Sequence, residues 1–299
     1  MEEIINYYLK LKETLDKNDY EEISKLEKFC SEIDKTTLKL ELDYKLNSSQ
    51  GKIPSTENIN EFMYYNEDTL IGYIGISFYG GDTIEINGMV HPNYRRKGIF
   101  KKLFSLINDE WSKRKTSKMF LLSDSNSISG LEFIKTTSAS YENSEYEMFL
   151  KSTSTQKVLP CNVLLRKATN KDAREITWQN SIYADIEFKE ENIALNVEEE
   201  ESVMVIYMAE IDNKIIGKVN LQICAGVGGI YGLGVHPEYR GKGYGREILT
   251  LAIEKLKQQK SAEIMLEVVT KNKNALNLYT SCGFEETSQM DYYEMHKKY

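Results

Sequence analysis

A chain of 299 residues, 41% hydrophobic and 28% charged, has an ordinary globular composition and room for two domains. Its net charge of −8 excludes a general nucleic-acid binder, because phosphate backbones demand a basic face. No signal peptide and no apolar run of membrane-spanning length is recognised, so no membrane partner and a cytoplasmic location are expected. The four cysteines, Cys30, Cys161, Cys224 and Cys282, are widely spaced and make no metal-ligand pattern with the histidines, so free thiols and no metal are expected.

Residues 2–46 are charged and helix-prone, with Ile4, Tyr7, Tyr8, Leu11 and Leu15 on one stripe, and no clear opening strand is legible there. Glu61 to Tyr79 reads as a hairpin turning through Asn66-Glu67-Asp68, followed by a strand from Thr83 to Val90. The segment Val90-His91-Pro92-Asn93-Tyr94-Arg95-Arg96-Lys97-Gly98-Ile99-Phe100 then leads into a helix with Phe100, Leu103, Phe104, Ile107 and Trp111 on one face. Leu121 to Asn126 reads as a strand entering an Asn-capped helix, with Phe133 seven residues past Asn126. The Ser/Thr-rich stretch from Lys151 to Lys157 is the expected linker, giving domains at 1–152 and 160–299.

Val163 to Thr169 reads as an opening strand, and Val203 to Glu210 with Ile215 to Cys224 as a hairpin through Asp212-Asn213-Lys214. The acidic run Glu198 to Glu201 reads as a solvated face that would also attract a cationic acceptor. An apolar strand from Ile230 enters Val235-His236-Pro237-Glu238-Tyr239-Arg240-Gly241-Lys242-Gly243-Tyr244-Gly245, then a helix whose Leu249, Ala252, Ile253 and Leu256 share a face. Glu263 to Val269 alternates, with Ile264, Leu266 and Val268 on one side and Met265, Glu267 and Val269 on the other. Asn272 is placed to cap the next helix and Gly283 to end it.

The two His-Pro pairs lie 145 positions apart, a period that means two related domains rather than a solenoid. A loop entering a helix start offers unpaired N–H groups and the positive end of the helix dipole, which together suit a phosphate. Glycine lets the backbone approach that phosphate, and Arg240 and Lys242 add charge. The spacing fits neither a P-loop nor the G-x-G-x-x-G dinucleotide loop. The later copy keeps all three glycines, whereas the earlier has Arg96 and Phe100 at two of those positions. His91 and His236, in matching turns, read as structural.

The later segment resembles the R/Q-x-x-G-x-G/A pyrophosphate loop of the GNAT superfamily of acyl-CoA-dependent N-acyltransferases, with Arg240, Gly243 and Gly245 in the defining slots. Asn272, Ala275, Leu278, Tyr279, Gly283 and Phe284 fit that superfamily's N-x-x-A-x-x-L-Y-x-x-x-G-F pattern, so the resemblance covers residues 162–299. It implies an α+β protein of two tandem GNAT folds, each a mixed, mostly antiparallel, V-splayed sheet flanked by helices, with the first copy degenerate. It also implies acetyl-CoA as acyl donor, held by Leu233, Gly234 and Val235 along the pantetheine and by Arg240, Gly241, Lys242, Gly243, Tyr244, Gly245 and Asn272.

Direct transfer to a primary amine, on a small molecule or a peptide N-terminus, is the implied reaction, with a backbone N–H stabilising the oxyanion. Tyr279 occupies the family's general-acid slot. Glu267, 12 residues earlier, resembles the carboxylate of the Glu/Tyr pair in peptide N-terminal acetyltransferases and would take the ammonium proton directly or through water. In the first half Phe133 stands in the acid slot and Phe100 crowds the phosphate loop, which implies weak or absent CoA binding and a supporting role. A non-catalytic acyl-CoA-binding regulator or scaffold is the alternative from another class. The choice between monomer and homodimer stays open.

Overall fold

A computed structural model describes residues 7–48, 58–151, 162–184, 186–193, 197–198, 204–224 and 226–297. Ile4, Cys161, residues 199–201 of the acidic run and residues 152–157 of the expected linker lie outside them. The chain divides into two compact units, Met1–Glu145 together with Ser288–Tyr299, and Tyr146–Thr287. This differs from a division at a linker into 1–152 and 160–299, because the last dozen residues belong with the first unit.

The first unit opens with a strand, β1 (Tyr7–Lys12), where the sequence suggested only helix. Tyr7, Leu9 and Leu11 alternate with Tyr8, Lys10 and Lys12, and β1 pairs antiparallel along the whole of β2 (Glu61–Asn66). The two lysines are drawn to the wholly buried carboxylate of Asp19, which with Asp16 forms the capping box that starts α1 (Lys17–Asp34). The strand therefore owes as much to helix capping as to its own alternation.

After α2 (Leu42–Ser48) come β2 and β3 (Thr69–Ser77), the expected hairpin, then β4 (Thr83–Val90), α3 (Ile99–Lys113), β5 (Lys118–Asp124), α4 (Ile128–Ile134) and β6 (Ser140–Leu150). The sheet runs β1-β2-β3-β4-β5, antiparallel until the parallel β4–β5 pair. Met290–His296, from the far end of the chain, lies antiparallel against β5. Leu103, Ile107 and Trp111 of α3 are buried against Ile71, Ile74 and Ile86, while Phe100 is only partly covered.

The second unit repeats the plan with β7 (Leu164–Lys167), α5 (Ala173–Ala184), β8 (Met204–Ile211), β9 (Lys214–Cys224), β10 (Val227–Val235), α6 (Tyr244–Gln258), β11 (Glu263–Val269), α7 (Lys273–Ser281) and β12 (Phe284–His296). Its strands run β7-β8-β9-β10-β11, again antiparallel until a parallel last pair. Leu249, Ala252, Ile253 and Leu256 are fully buried as one face of α6, against Val219, Leu221, Ile230 and Leu266. Each Leu or Ile so buried contributes about 1.5–3 kcal/mol. On the opposite face α5 covers Ala168 and Met208 through Ile176. Among the described residues no helix is long and apolar enough to cross a membrane, and Cys30, Cys224 and Cys282 are free thiols.

In each unit the parallel pair holds for only four positions. β10 and β11 pair from Val227↔Glu263 to Ile230↔Leu266, and β4 and β5 from Thr83↔Lys118 to Ile86↔Leu121. Beyond those points the strands diverge, and the sheet opens into a V with unpaired backbone on its inner edges.

Candidate active site

The opening in the second unit is built from three adjoining pieces. β10 carries a bulge: Tyr231 pairs with Asn220 and Gly234 with Lys218, so one extra residue is accommodated around Gly232 and Leu233. A bulge re-aims backbone N–H and C=O groups away from the ladder, here at the splayed end of the strand. A Cβ at Gly234 would lie 2.0 Å from the Tyr183 ring of α5, so any larger residue there must displace that ring. β10 then runs through a single 3-10 turn at Pro237–Tyr239 into the glycine loop.

That loop ends at Gly243, the N-cap of α6, with φ 90°, and Gly241 is also left-handed at φ 74°. No side chain caps the helix, so its first N–H groups face outward for a ligand. The Arg240 Nε donates to the Val235 carbonyl at 2.9 Å, tying the loop back to the end of β10. Among the described residues no carboxylate pairs with the Arg240 guanidinium. The Lys242 ammonium lies 5.4 Å above the Tyr239 ring, and Tyr244 opens α6. Leu233, Gly234, Val235 and residues 240–245 thus form one continuous edge, from bulge to helix start.

Asn272 caps α7 as expected, its side chain accepting from the Ala275 N–H at 3.1 Å. Tyr279, on the same helix, is 8% exposed and packs on Phe284 at 6.2 Å between ring centres. Burial pushes its phenol up to about 12, so it holds its proton at neutral pH. Glu267 is half-buried just past the last β10–β11 pair. Alternation along β11 puts it on the face opposite to Leu266 and Val268, hence opposite to the core that contains Tyr279. The two side chains therefore come from different faces of the sheet.

The Glu267 face also carries residues that the sequence did not single out. Register places Lys218, Asn220 and Tyr231 there, and the Tyr231 hydroxyl donates to the Met265 sulfur at 3.6 Å. Lys218 is 1% exposed, and its ammonium donates to Asn220 Oδ1 at 3.2 Å and to the Gly232 carbonyl, within the bulge, at 3.4 Å. From α5, the Tyr183 hydroxyl donates to Gln179, Gln179 donates to Glu175, and Glu175 meets His236 at 2.9 Å. His236 is therefore buried beneath the turn with its Nε2 beside the Glu175 carboxylate, and His91 accepts from the Asn93 N–H and stacks on Phe29. Of the acidic run, Glu198 accepts from the Asn170 N–H.

The first unit keeps the loop shape but not the rest. Gly98 caps α3 at φ 82°, and Arg96 takes the left-handed position of Gly241 at φ 61°, which is unusual for a side-chain-bearing residue. Arg95 repeats the bond to the strand end, on Val90, but its guanidinium is clamped by Asp34 at 2.8 and 2.6 Å. No register shift interrupts β3–β4, so β4 lacks the bulge. A cleft of about 550 Å³ persists there, lined among others by Asn87, Met89, Val90, Gly98 and Phe100.

The expected Asn126 cap is corrected to Ser127, whose hydroxyl accepts from the Gly130 N–H at 3.2 Å, while the Asn126 N–H is taken by Asp124. Counted from the caps, Tyr279 then corresponds to Ile134, and Phe133 to Leu278. The contacts agree. Phe100 packs edge-on against Phe133 at 4.6 Å, and a Cβ on Gly245 would meet Leu278 at 3.4 Å. An isoleucine, buried at 6% exposure, stands where the second unit has its phenol.

Two splayed α+β units, one with a bulged strand leading into a glycine loop and an uncapped helix, define the fold of an acyl-CoA-type transferase. The sequence profile of the acetyltransferase (GNAT) family matches residues 21–129 and 167–284, most of the chain, and the protein belongs to that family. A GCN5-related N-acetyltransferase from Sphaerobacter thermophilus shares the fold at a TM-score of 0.75 and 15% identity, over 97% of this chain and 95% of that one. A tandem GNAT protein from the clavulanic acid biosynthesis pathway does so at 0.69 and 14%, over 97% and 98%. Among curated proteins, mycothiol acetyltransferase of Kocuria rhizophila is 42% identical over 59 residues, 20% of each chain. N-alpha-acetyltransferase 30 of Saccharomyces cerevisiae is 37% identical over 65 residues, 22% of this chain and 37% of that one. The matched stretches thus span well under half of those relatives.

Proposed function

We propose that the second unit transfers an acetyl group from acetyl-CoA directly to a primary amine, on a small molecule or a peptide N-terminus. The observation that carries this reading is the bulged, splayed end of β10 running without interruption into an uncapped helix start. The pantetheine lies along Leu233, Gly234 and Val235, and the pyrophosphate sits on the N–H groups of residues 241–245, with Arg240 and Lys242 beside it and Asn272 nearby. A bulge N–H polarises the thioester carbonyl and holds the oxyanion. Tyr279 gives its proton to the departing thiolate, and Glu267 draws the ammonium of the acceptor to the opposite side of the splay. Free thiols and a net charge of −8 fit a cytoplasmic enzyme with a cationic acceptor.

The first unit is proposed to bind CoA weakly or not at all, since Asp34 neutralises its loop arginine and β4 has no bulge. Calorimetric titration with acetyl-CoA should therefore give one site per chain. Gly243→Glu should abolish that site, because it adds a strained side chain and a negative charge where phosphate binds, whereas Phe100→Gly should leave it intact. Two sites, or loss with Phe100→Gly, would contradict the assignment. Free-CoA release across a panel of amines tests the reaction itself. Acetyl-CoA binding without turnover on a broad panel would make the protein a non-catalytic acyl-CoA binder.

A further inference from the structure

Lys218 lies in the middle of β9, directly across the ladder from Gly234 and next to the β10 bulge. It is 1% exposed. An ammonium buried to that extent is normally met by a carboxylate. Among the described residues Lys218 meets none, and its two partners, Asn220 Oδ1 at 3.2 Å and the Gly232 carbonyl at 3.4 Å, are neutral acceptors. Two acceptors use both N–H bonds of an uncharged amine and leave its lone pair unengaged. Burial alone pulls the group down to about 8, so a neutral minority exists at neutral pH and becomes the majority above about pH 8.

The surroundings fit this state. On that face β10 carries the ionisable Tyr231 and β11 carries Glu263 and Glu267, and β8 presents Met208 across the ladder from Lys218. On α5 stand Tyr183 and Glu175, the latter engaged with Gln179 and His236. Arg166, on β7, is occupied by Asp172 and Glu210. Glu175, Asp172 and Glu210 are engaged by other groups, and Glu267 stands on β11, with β10 between it and β9.

We infer that Lys218 is the proton acceptor that activates the amine for attack on the thioester. This rests on the proposed acetyl transfer in the second unit. The neutral Lys218 amine takes one proton from the acceptor ammonium and becomes an ammonium itself. The freed amine forms the C–N bond, the C–S bond breaks as Tyr279 gives its proton to the CoA thiolate, and the second proton, lost from the amide nitrogen, restores the Tyr279 phenol through water. Lys218 then returns its proton to solvent. Glu267 in this scheme attracts the ammonium without being protonated.

The test begins with wild-type turnover: absence of CoA release with every amine would remove the acetyl-transfer reading, not the lysine assignment within it. Given turnover, Lys218→Met and Lys218→Arg should each lower kcat about 100-fold or more while leaving acetyl-CoA affinity unchanged. Arginine keeps the charge but cannot give up its proton, so a merely structural or anion-holding lysine would be rescued by it. The wild-type rise of kcat through about pH 8 should vanish in both variants. Near-wild-type kcat in Lys218→Arg, or an unshifted profile in Lys218→Met, would overturn the inference.

Heat denaturation checks the neutral state independently of activity. The folded group sits at about 8 against an ordinary 10.5, so the unfolded chain binds the extra proton. Lysine therefore weakens the fold below about pH 8, and the penalty fades as pH rises toward 10.5. The melting temperature of Lys218→Met relative to wild type should be highest at neutral pH and fall as pH rises toward 10.5. A difference independent of pH would also overturn the inference.

Discussion

Tyr279→Phe should lower the turnover of acetyl-CoA with a primary amine roughly 100-fold, the usual worth of a positioned acid, with acetyl-CoA affinity unchanged. The ring is buried to 8% exposure and packed against Phe284, and phenylalanine keeps that packing. Only the hydroxyl is lost. Because burial raises the phenol to about 12, the tyrosine is protonated throughout the neutral range, as the proposed acid role requires. A thiolate leaving without that proton must await water, so kcat and kcat/KM should fall together, the mark of an interaction made in the transition state. Steady-state CoA release, paired with calorimetric binding and an unchanged melting temperature, separates this from misfolding. An unchanged kcat would sink the acid assignment.

The sequence disclosed the parts whose signals are local. Alternation gave β8, β9 and β11, helical spacing gave the buried face of α6, and the two His-Pro segments disclosed the duplication. Four features were hidden, each for a physical reason. β1 passed for helix because its residues satisfy both periods, and it is the buried Asp19 of the next element that fixes the lysines along it. Lys218, Asn220 and Gln222 alternate with apolar residues, the usual mark of a solvent face. That face is covered by α5, a helix whose position no strand pattern reports. The bulge in β10 leaves no unique mark either, since Gly232 and Gly234 read equally well as flexible positions. Likewise the cap of α4 sits one residue later than Asn126 promised, which moves the positional counterpart of Tyr279 from Phe133 to Ile134.

Ending the chain at Thr287 should unfold the first unit, although the deletion is at the opposite end of the sequence. Met290–His296 supplies seven ladder partners to β5, from Met290↔Asp124 to His296↔Lys118. Tyr292 and Met290 are buried with Leu122, and Tyr293 and Met295 pack on the core beneath α3. The Tyr292 hydroxyl bonds Glu145 at 2.5 Å and Lys39 at 3.0 Å, and Asp291 accepts from Ser144 at 2.6 Å. Met290 and Tyr292, buried, and Tyr293 and Met295, half-buried, together contribute a large share of the whole stability of a domain. β5 would also be left as an exposed apolar edge, prone to pairing with another chain. Hydrogen exchange should then find the amides of β2 to β5 unprotected while those of β9 and β10 stay slow. Tyr292→Ala, a lesser insult at the same place, should cost about 3–5 kcal/mol, in the range of large-aromatic truncations, and should act first on the same amides. Equal protection of both units after truncation would mean that the strand is dispensable. It would also return residues 288–299 to the second unit alone.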